Sequence, residues 1–278
     1  MSSVRVAITG ASGFVGARLS SVLQSAGHEV RAVSTRGGVR TEDFDGCDAV
    51  VHLAGEPVAQ RWTPEIRERI RSSRVDGTRA VVNALSRHST ATLISASAIG
   101  YYGSRGEEVL TESSAPGSDW LARVAVDWEH EAERFSGRVV KLRIAMVVGR
   151  GGALAKMLLP FKLGVGGRIG DGSQWVSWIH LDDLVSLIIF LIANPRVEGA
   201  VNGSSPNPLI NLEFTRELAS ALHRPAIFPV PKAALKLMFG EMSQVVLASQ
   251  RVLPIAACDA GFSFRFLEIG VALRDVVS

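Results

Sequence analysis

Three glycines constrain this chain most. Gly10, Gly13 and Gly16 stand in the stretch TGASGFVG, directly after the apolar run VRVAIT at residues 4–9. Behind them Val15, Leu19, Val22, Leu23 and Ala26 recur at helical spacing, and Gly27 follows where a helix C-cap belongs. A strand that enters a helix through such a turn leaves bare backbone N–H groups at the helix start, which is what a pyrophosphate needs. Gly10 permits the tight turn, Gly13 the close approach of the anion, and Gly16 the packing of helix on sheet. Ser12, Phe14 and Val15 share the turn and are expected to line the same site.

The alternation of strand and helix continues. EVRAVST (29–35), DAVVHLAG (48–55), ATLISAS (91–97) and RVVKLRIAMVVG (138–149) read as strands that are apolar throughout. Between them, residues 63–86, with Pro64 in the first turn, and residues 120–135 read as helices. This pattern predicts an α/β fold: a Rossmann-type doubly wound parallel sheet covered on both faces. After Gly149 the rhythm breaks at LGVGGRIGDGSQW, which predicts a mobile loop over the cleft. WIHLDDLVSLIIFLIANP restores a helix, with Asp182 expected at its N-cap and a stop before Pro195. GAVNGSS supplies one more strand, and residues 206–278 hold three proline-bounded segments. The expected organisation is a core over 1–149, completed by about 177–203. Residues 150–176 and 204–278 would form a smaller, mostly helical C-terminal lobe on the substrate side.

Composition narrows the functional classes. With 47% apolar and 21% charged residues the chain is globular, and its 278 residues bury a sizeable core. The net charge of +3 comes without a block of like charges, so no nucleic-acid partner is expected. Two cysteines cannot build a disulfide framework and suit a reducing compartment. No His/Cys cluster has metal-ligand spacing, and no metal is expected. The start, MSSVRVAITG, lacks the apolar core of a signal peptide, and the apolar run at 184–193 is too short to span a bilayer. A cytoplasmic protein without membrane attachment follows, with a small-molecule substrate and room for a protein partner.

Further residues point to the cofactor and the chemistry. VSTRGG ends the second strand; it offers Thr35 and Arg36 and no acid, which favours the 2′-phosphate of NADP(H) over NAD. Leu53, Ala54 and Gly55 end the next strand with small residues over which a dinucleotide can pass, while His52 reads as a packed strand histidine. SASAIGYYG carries the chain's two tyrosines. Ser97 ends its strand at the same rim, and Tyr101 or Tyr102 is the available proton donor; the sequence leaves open which of them faces the cleft. Arg168 is a candidate contact for an anionic substrate.

TGASGFVG, DAVVHLAG, the serine-rich strand end and WIHLDDL occur in the order seen in extended short-chain dehydrogenases/reductases, which the chain resembles. HLAGEP, RWTPEIRERIRSSRVDGT, SASAIGYYG, DWE, NGSSPNPLINLEF and the tail through RVLPIAACDAGFSF resemble its atypical YfcH-like (SulA-related) "epimerase family" branch, nearly end to end. The resemblance implies an NADP(H)-binding core with a C-terminal substrate lobe. It places Ser97 on the catalytic serine or threonine, and Leu121 and Ala125 on the superfamily's Tyr-x-x-x-Lys pair. That pair is therefore missing, and no lysine precedes Lys141. Two functions follow: a reductase or epimerase acting on a small carbonyl or sugar-type substrate with unusual catalytic groups, or a non-catalytic NADP(H)-dependent sensor that binds a partner.

Overall fold

The structure, a computed structural model, describes residues 3–226 and 228–277. The first half runs β1 (Arg5–Thr9), α1 (Phe14–Ser25), β2 (Glu29–Val33), β3 (Ala49–His52), α2 (Pro64–Ala84), β4 (Thr92–Ala98), β5 (Val109–Leu110) and α3 (Trp120–Glu133). Next come β6 (Arg138–Ile144), β7 (Met146–Val148), α4 (Gly152–Lys162), β8 (Trp175–Val176), β9 (Trp178–His180), α5 (Leu181–Ala193) and β10 (Gly199–Gly203). The chain closes with β11 (Leu209–Ile210), α6 (Asn211–Ala221), α7 (Lys232–Phe239), α8 (Ser243–Leu247), β12 (Arg251–Val252), α9 (Ile255–Asp259) and α10 (Ile269–Val277).

Six strands form one parallel sheet in the order β10-β6-β4-β3-β1-β2. The strand period of two sorts its side chains. Val6, Ile8, Val51 and Ile94 pack with Leu19 and Leu23 of α1 and Leu184, Leu187, Ile188 and Leu191 of α5. Ala7, Val50 and Leu93 pack on the other face with Val81 and Val82 of α2 and Ala132 of α3. GAVNGSS supplies the edge strand β10, paired to β6 from Gly199 to Gly203. Thr63 caps α2 by accepting from Ile66 N at 3.3 Å, and Asp119 caps α3 by accepting from Ala122 N at 2.9 Å.

A second core, with Leu154, Phe161, Trp178, Phe214, Leu218, Phe266 and Leu273, holds the C-terminal half together. The cap of α5 differs from the sequence expectation: His180 takes the N-cap and accepts from Asp182 N at 3.2 Å. Asp182 instead pairs with Arg18 at 2.8 Å, and Asp183 accepts from Arg265 N and Phe266 N at 2.8 and 2.9 Å. Carboxylates that gain tertiary partners of this kind are unavailable as caps. The glycine-rich stretch after α4, expected as a mobile loop, is tied to its neighbours. Gly170 N donates to Val230 O, Val230 N to Arg168 O, and Ile169 N to Asn211 Oδ1.

Candidate functional site

The strands β1, β3 and β4 end where α1, α2 and α3 begin, and the candidate site follows that rim. Gly10 has φ +72°, and a Cβ there would lie 2.9 Å from Ala54 N. A Cβ on Gly16 would fall 2.2 Å from Gly10 O, so the turn closes only with glycine at both positions. Gly13 is the N-cap of α1, offers no capping side chain, and no acid stands in the first turn. The opening N–H groups of α1 are therefore left for an anion. Ser12 and Gly13 are exposed, Phe14 and Val15 half-buried, and Gly16 buried. A second glycine cluster roofs the turn: Cβ atoms on Gly149, Gly151 or Gly152 would come within 2.6, 2.7 or 3.0 Å of the Phe14 ring.

Arg36 is exposed in the turn after β2, where its N–H donates to Ser34 Oγ at 3.2 Å, and Thr35 beside it is half-buried. His52 is fully buried, with Nδ1 2.6 Å from Thr9 Oγ1 and Nε2 3.0 Å from Thr78 Oγ1. It is a packed histidine that ties β1, β3 and α2 together. Burial pushes its pKa down from 6.5 to about 4. The unfolded chain therefore takes up this proton first, and stability present above pH 6.5 is lost as pH falls toward 4. At pH 5 the expected loss from this group is about 2 kcal/mol relative to pH 7. Urea unfolding at both pH values checks it: His52→Gln should shrink the pH 7 to pH 5 difference by that amount, and an unchanged difference refutes it.

Leu53 and Ala54 are half-buried and Gly55 exposed at the end of β3. Beneath Gly55 stands a residue the sequence reading passed over. The guanidinium of Arg74 lies 3.5–3.6 Å from the position a Gly55 Cβ would take. Its Nη1 donates to Glu56 O and Ile70 O at 3.0 and 3.1 Å, while Nε and Nη2 meet no acceptor among the described residues. The Trp128 ring lies 5.2 Å beneath it, and burial lowers its pKa to about 10, against the opposing charge of Glu56. In sequence Arg74 is one of six arginines in the stretch RWTPEIRERIRSSRVDGTR, and nothing there marks it out.

The tyrosine side of the rim holds a buried network. Ser97 Oγ donates to Glu129 Oε1 at 2.7 Å, and Arg143 grips both Glu129 oxygens at 2.8 Å. Arg143 Nη1 also donates to the Tyr102 hydroxyl at 3.0 Å, and that hydroxyl donates to Asn202 Oδ1 at 2.7 Å. All five side chains are buried. Burial pulls the Arg143 guanidinium down, yet Glu129 outweighs it and holds the pKa above its ordinary value. Burial raises the Tyr102 pKa, with Arg143 opposing. Tyr102 is thus sealed in the core with its proton committed, while Tyr101 stays half-buried with Arg143 3.5 Å from its ring centre. Ser97 has also committed its one proton, and its oxygen keeps lone pairs only.

Leu121 and Ala125 sit on α3 beside this network. Leu121 lies 3.0 Å from the position of a Cβ on Gly100 and packs with Trp62, Trp120, Ile66, Ile70, Phe239 and Met242. Ala125 is buried. The ground that the resemblance assigns to tyrosine and lysine is therefore apolar, and the C-terminal lobe covers part of it. Arg168 is exposed in the tied glycine-rich segment. Among the described residues no group of three or more His, Cys, Asp or Glu is placed to hold a metal ion, and no helix is long and apolar enough to cross a membrane.

A doubly wound sheet with an open helix start at its first βα turn is a Rossmann-type dinucleotide-binding fold. The chain belongs to the NAD dependent epimerase/dehydratase family, whose profile matches residues 6–202, and residues 230–276 match a domain of unknown function, DUF1731. It is 40% identical to the "Epimerase family protein SDR39U1 homolog, chloroplastic" of Arabidopsis thaliana, over 99% of this chain and 87% of that one. It is 34% identical to the "Epimerase family protein YfhF" of Bacillus subtilis, over 99% and 98%. The crystal structure of human epimerase family protein SDR39U1 (isoform 2) with NADPH superposes with a TM-score of 0.91 at 32% identity, covering 98% of this chain and 99% of that one. A nucleoside-diphosphate sugar epimerase from Corynebacterium glutamicum gives a TM-score of 0.82 at 34% identity, covering 99% of this chain and 58% of that one.

Proposed function

We propose that the protein is an NADP(H)-dependent reductase or epimerase acting on a small carbonyl or sugar-type substrate. The observation that carries the reading is the open start of α1, continued over Ala54 and Gly55 and flanked by Arg36. The human relative solved with NADPH supports the choice of nucleotide. Bound along this rim, NADP(H) supplies or accepts the hydride. The N–H groups of α1 hold the pyrophosphate, Arg36 faces the 2′-phosphate, and the free donors of Arg74 stand in for the absent lysine on the ribose side. Tyr101 gives a proton to the reacting oxygen, and Ser97 accepts a hydrogen bond from the substrate hydroxyl.

Replacing Arg36 with Glu should weaken NADPH binding about tenfold or more and leave NADH binding nearly unchanged, because only the 2′-phosphate meets that charge. Replacing Arg74 with Gln should raise the Kd of both nucleotides about tenfold, the effect of losing charged hydrogen bonds. Fluorescence titration reads both, and an Arg74→Gln protein with parental affinity refutes that role. The catalytic step is tested by NADPH oxidation against a panel of carbonyl compounds and nucleotide sugars. Turnover that falls in Tyr101→Phe supports the reading. Tight NADPH binding without turnover of any panel member overturns the enzyme in favour of a nucleotide-dependent binding protein.

A further inference from the structure

A cavity of about 340 Å³ opens where α2 and α3 begin, separate from the glycine turn of α1. Its walls are Trp62 and Trp120, whose rings meet edge to face with centroids 4.9 Å apart. Trp62 Nε1 donates to Val58 O at 3.0 Å, so its polar edge is already satisfied and its ring is what the cavity meets. Both tryptophans are anchored in an apolar cluster with Val58, Ile66, Ile70, Leu121 and Met242. The volume suits a small ring system, near the low end of small-molecule sites.

The rim carries two arginines in different states. Arg67 is committed: its guanidinium lies 4.6 Å from the Trp120 ring centre and bonds Glu241 of the C-terminal lobe at 2.7 Å. Arg71 is not committed in this way. Among the described residues its one polar contact is Glu68 at 3.6 Å, too long for a hydrogen bond, and its side chain is 40% exposed. A planar fork of donors therefore stands open beside two aromatic walls. A flat ring gains edge-to-face contact there, and a carboxylate on that ring meets the fork in a bidentate pair. Glu68 and Glu241 on the same rim repel additional negative charge, which disfavours a diphosphate and leaves a single carboxylate as the fitting anion.

We infer that this cavity is a binding site for a planar aromatic monocarboxylate, held by Trp62 and Trp120 and oriented by Arg71. The site goes beyond the proposed reaction and does not depend on it. Because Glu241 belongs to the C-terminal lobe while the two tryptophans belong to the core side, the ligand would touch both parts of the molecule.

The test uses full-length protein and 2-naphthoate. The five tryptophans give five indole N–H signals in an NMR spectrum of labelled protein, assigned with single Trp→Phe variants. Saturable shifts confined to Trp62 and Trp120, with a Kd at or below about 1 mM, are expected. The neutral analogue 2-naphthol should bind about tenfold more weakly, and so should 2-naphthoate to Arg71→Gln, since both lose the charged pair. Arg71 is surface-exposed, so the variant folds, and its NADPH affinity should equal the parent's. Shifts that centre on Trp175 or Trp178, the absence of saturation, or equal binding of 2-naphthoate and 2-naphthol overturns the proposal. Loss of NADPH binding in the parent protein would sink the proposed function and leave this site standing.

Discussion

Arg143→Met is expected to remove about 3–5 kcal/mol of folding stability, read by urea unfolding at pH 7. The size follows from what the arginine leaves behind. Glu129 is 5% exposed, and its two oxygens are held by Arg143 and the Ser97 hydroxyl. Without the guanidinium a buried carboxylate keeps one hydroxyl donor, with Lys141 Nζ 3.9 Å away. The Tyr102 hydroxyl loses a donor as well. Removing both charges is a different matter, because an apolar pair of similar volume carries no desolvation penalty. The double variant Arg143→Met, Glu129→Leu should therefore recover much of the loss. A single variant that costs under about 1 kcal/mol would show that the pair is solvated, contrary to its burial.

Gly13→Val should abolish measurable nucleotide binding, with a loss of at least about a hundredfold, while leaving the fold intact. The N-cap glycine has φ −76° and ψ 172°, an extended geometry that valine adopts freely. Its added Cβ meets one protein atom, Gly10 O, at 3.1 Å, a contact that a few tenths of an ångström relieves. The remaining bulk projects toward the N–H groups that would hold a pyrophosphate. Gly16→Val is the contrast, since its Cβ would sit 2.2 Å from Gly10 O and the turn itself must break. NADPH titration alongside thermal unfolding separates the two: the first variant loses binding and keeps Tm, the second loses both. Parental NADPH affinity in Gly13→Val would place the nucleotide elsewhere.

These two expectations differ in how much of their basis is local. The glycine turn was legible because strand, turn and helix are consecutive and each glycine answers a short-range steric demand. The doubly wound sheet was legible for the same reason, and GAVNGSS could be placed as its added strand. The network around Arg143 was not. Ser97, Tyr102, Glu129, Arg143 and Asn202 come from different elements spread over more than a hundred positions, and no periodicity links them. The choice between Tyr101 and Tyr102 depended on that network and stayed open without it. Arg74 was hidden for a related reason: among six arginines in one stretch, only the approach of Gly55 from another element singles it out. Asp182 looked like a cap because capping is local, whereas its partner Arg18 lies 164 positions away.

The route of the chain has a consequence for synthesis. The strand β10, which completes the main sheet beside β6, follows α4 and the tied glycine-rich segment in sequence. Asp183 of α5 then waits for Arg265 and Phe266 before its carboxylate is satisfied. A nascent chain emerging from a ribosome thus exposes the β6 edge until residue 203 is out, and leaves the start of α5 unlatched for some sixty residues more. The main sheet and the latch on α5 are thus completed only once residues 203 and 266 respectively have been made.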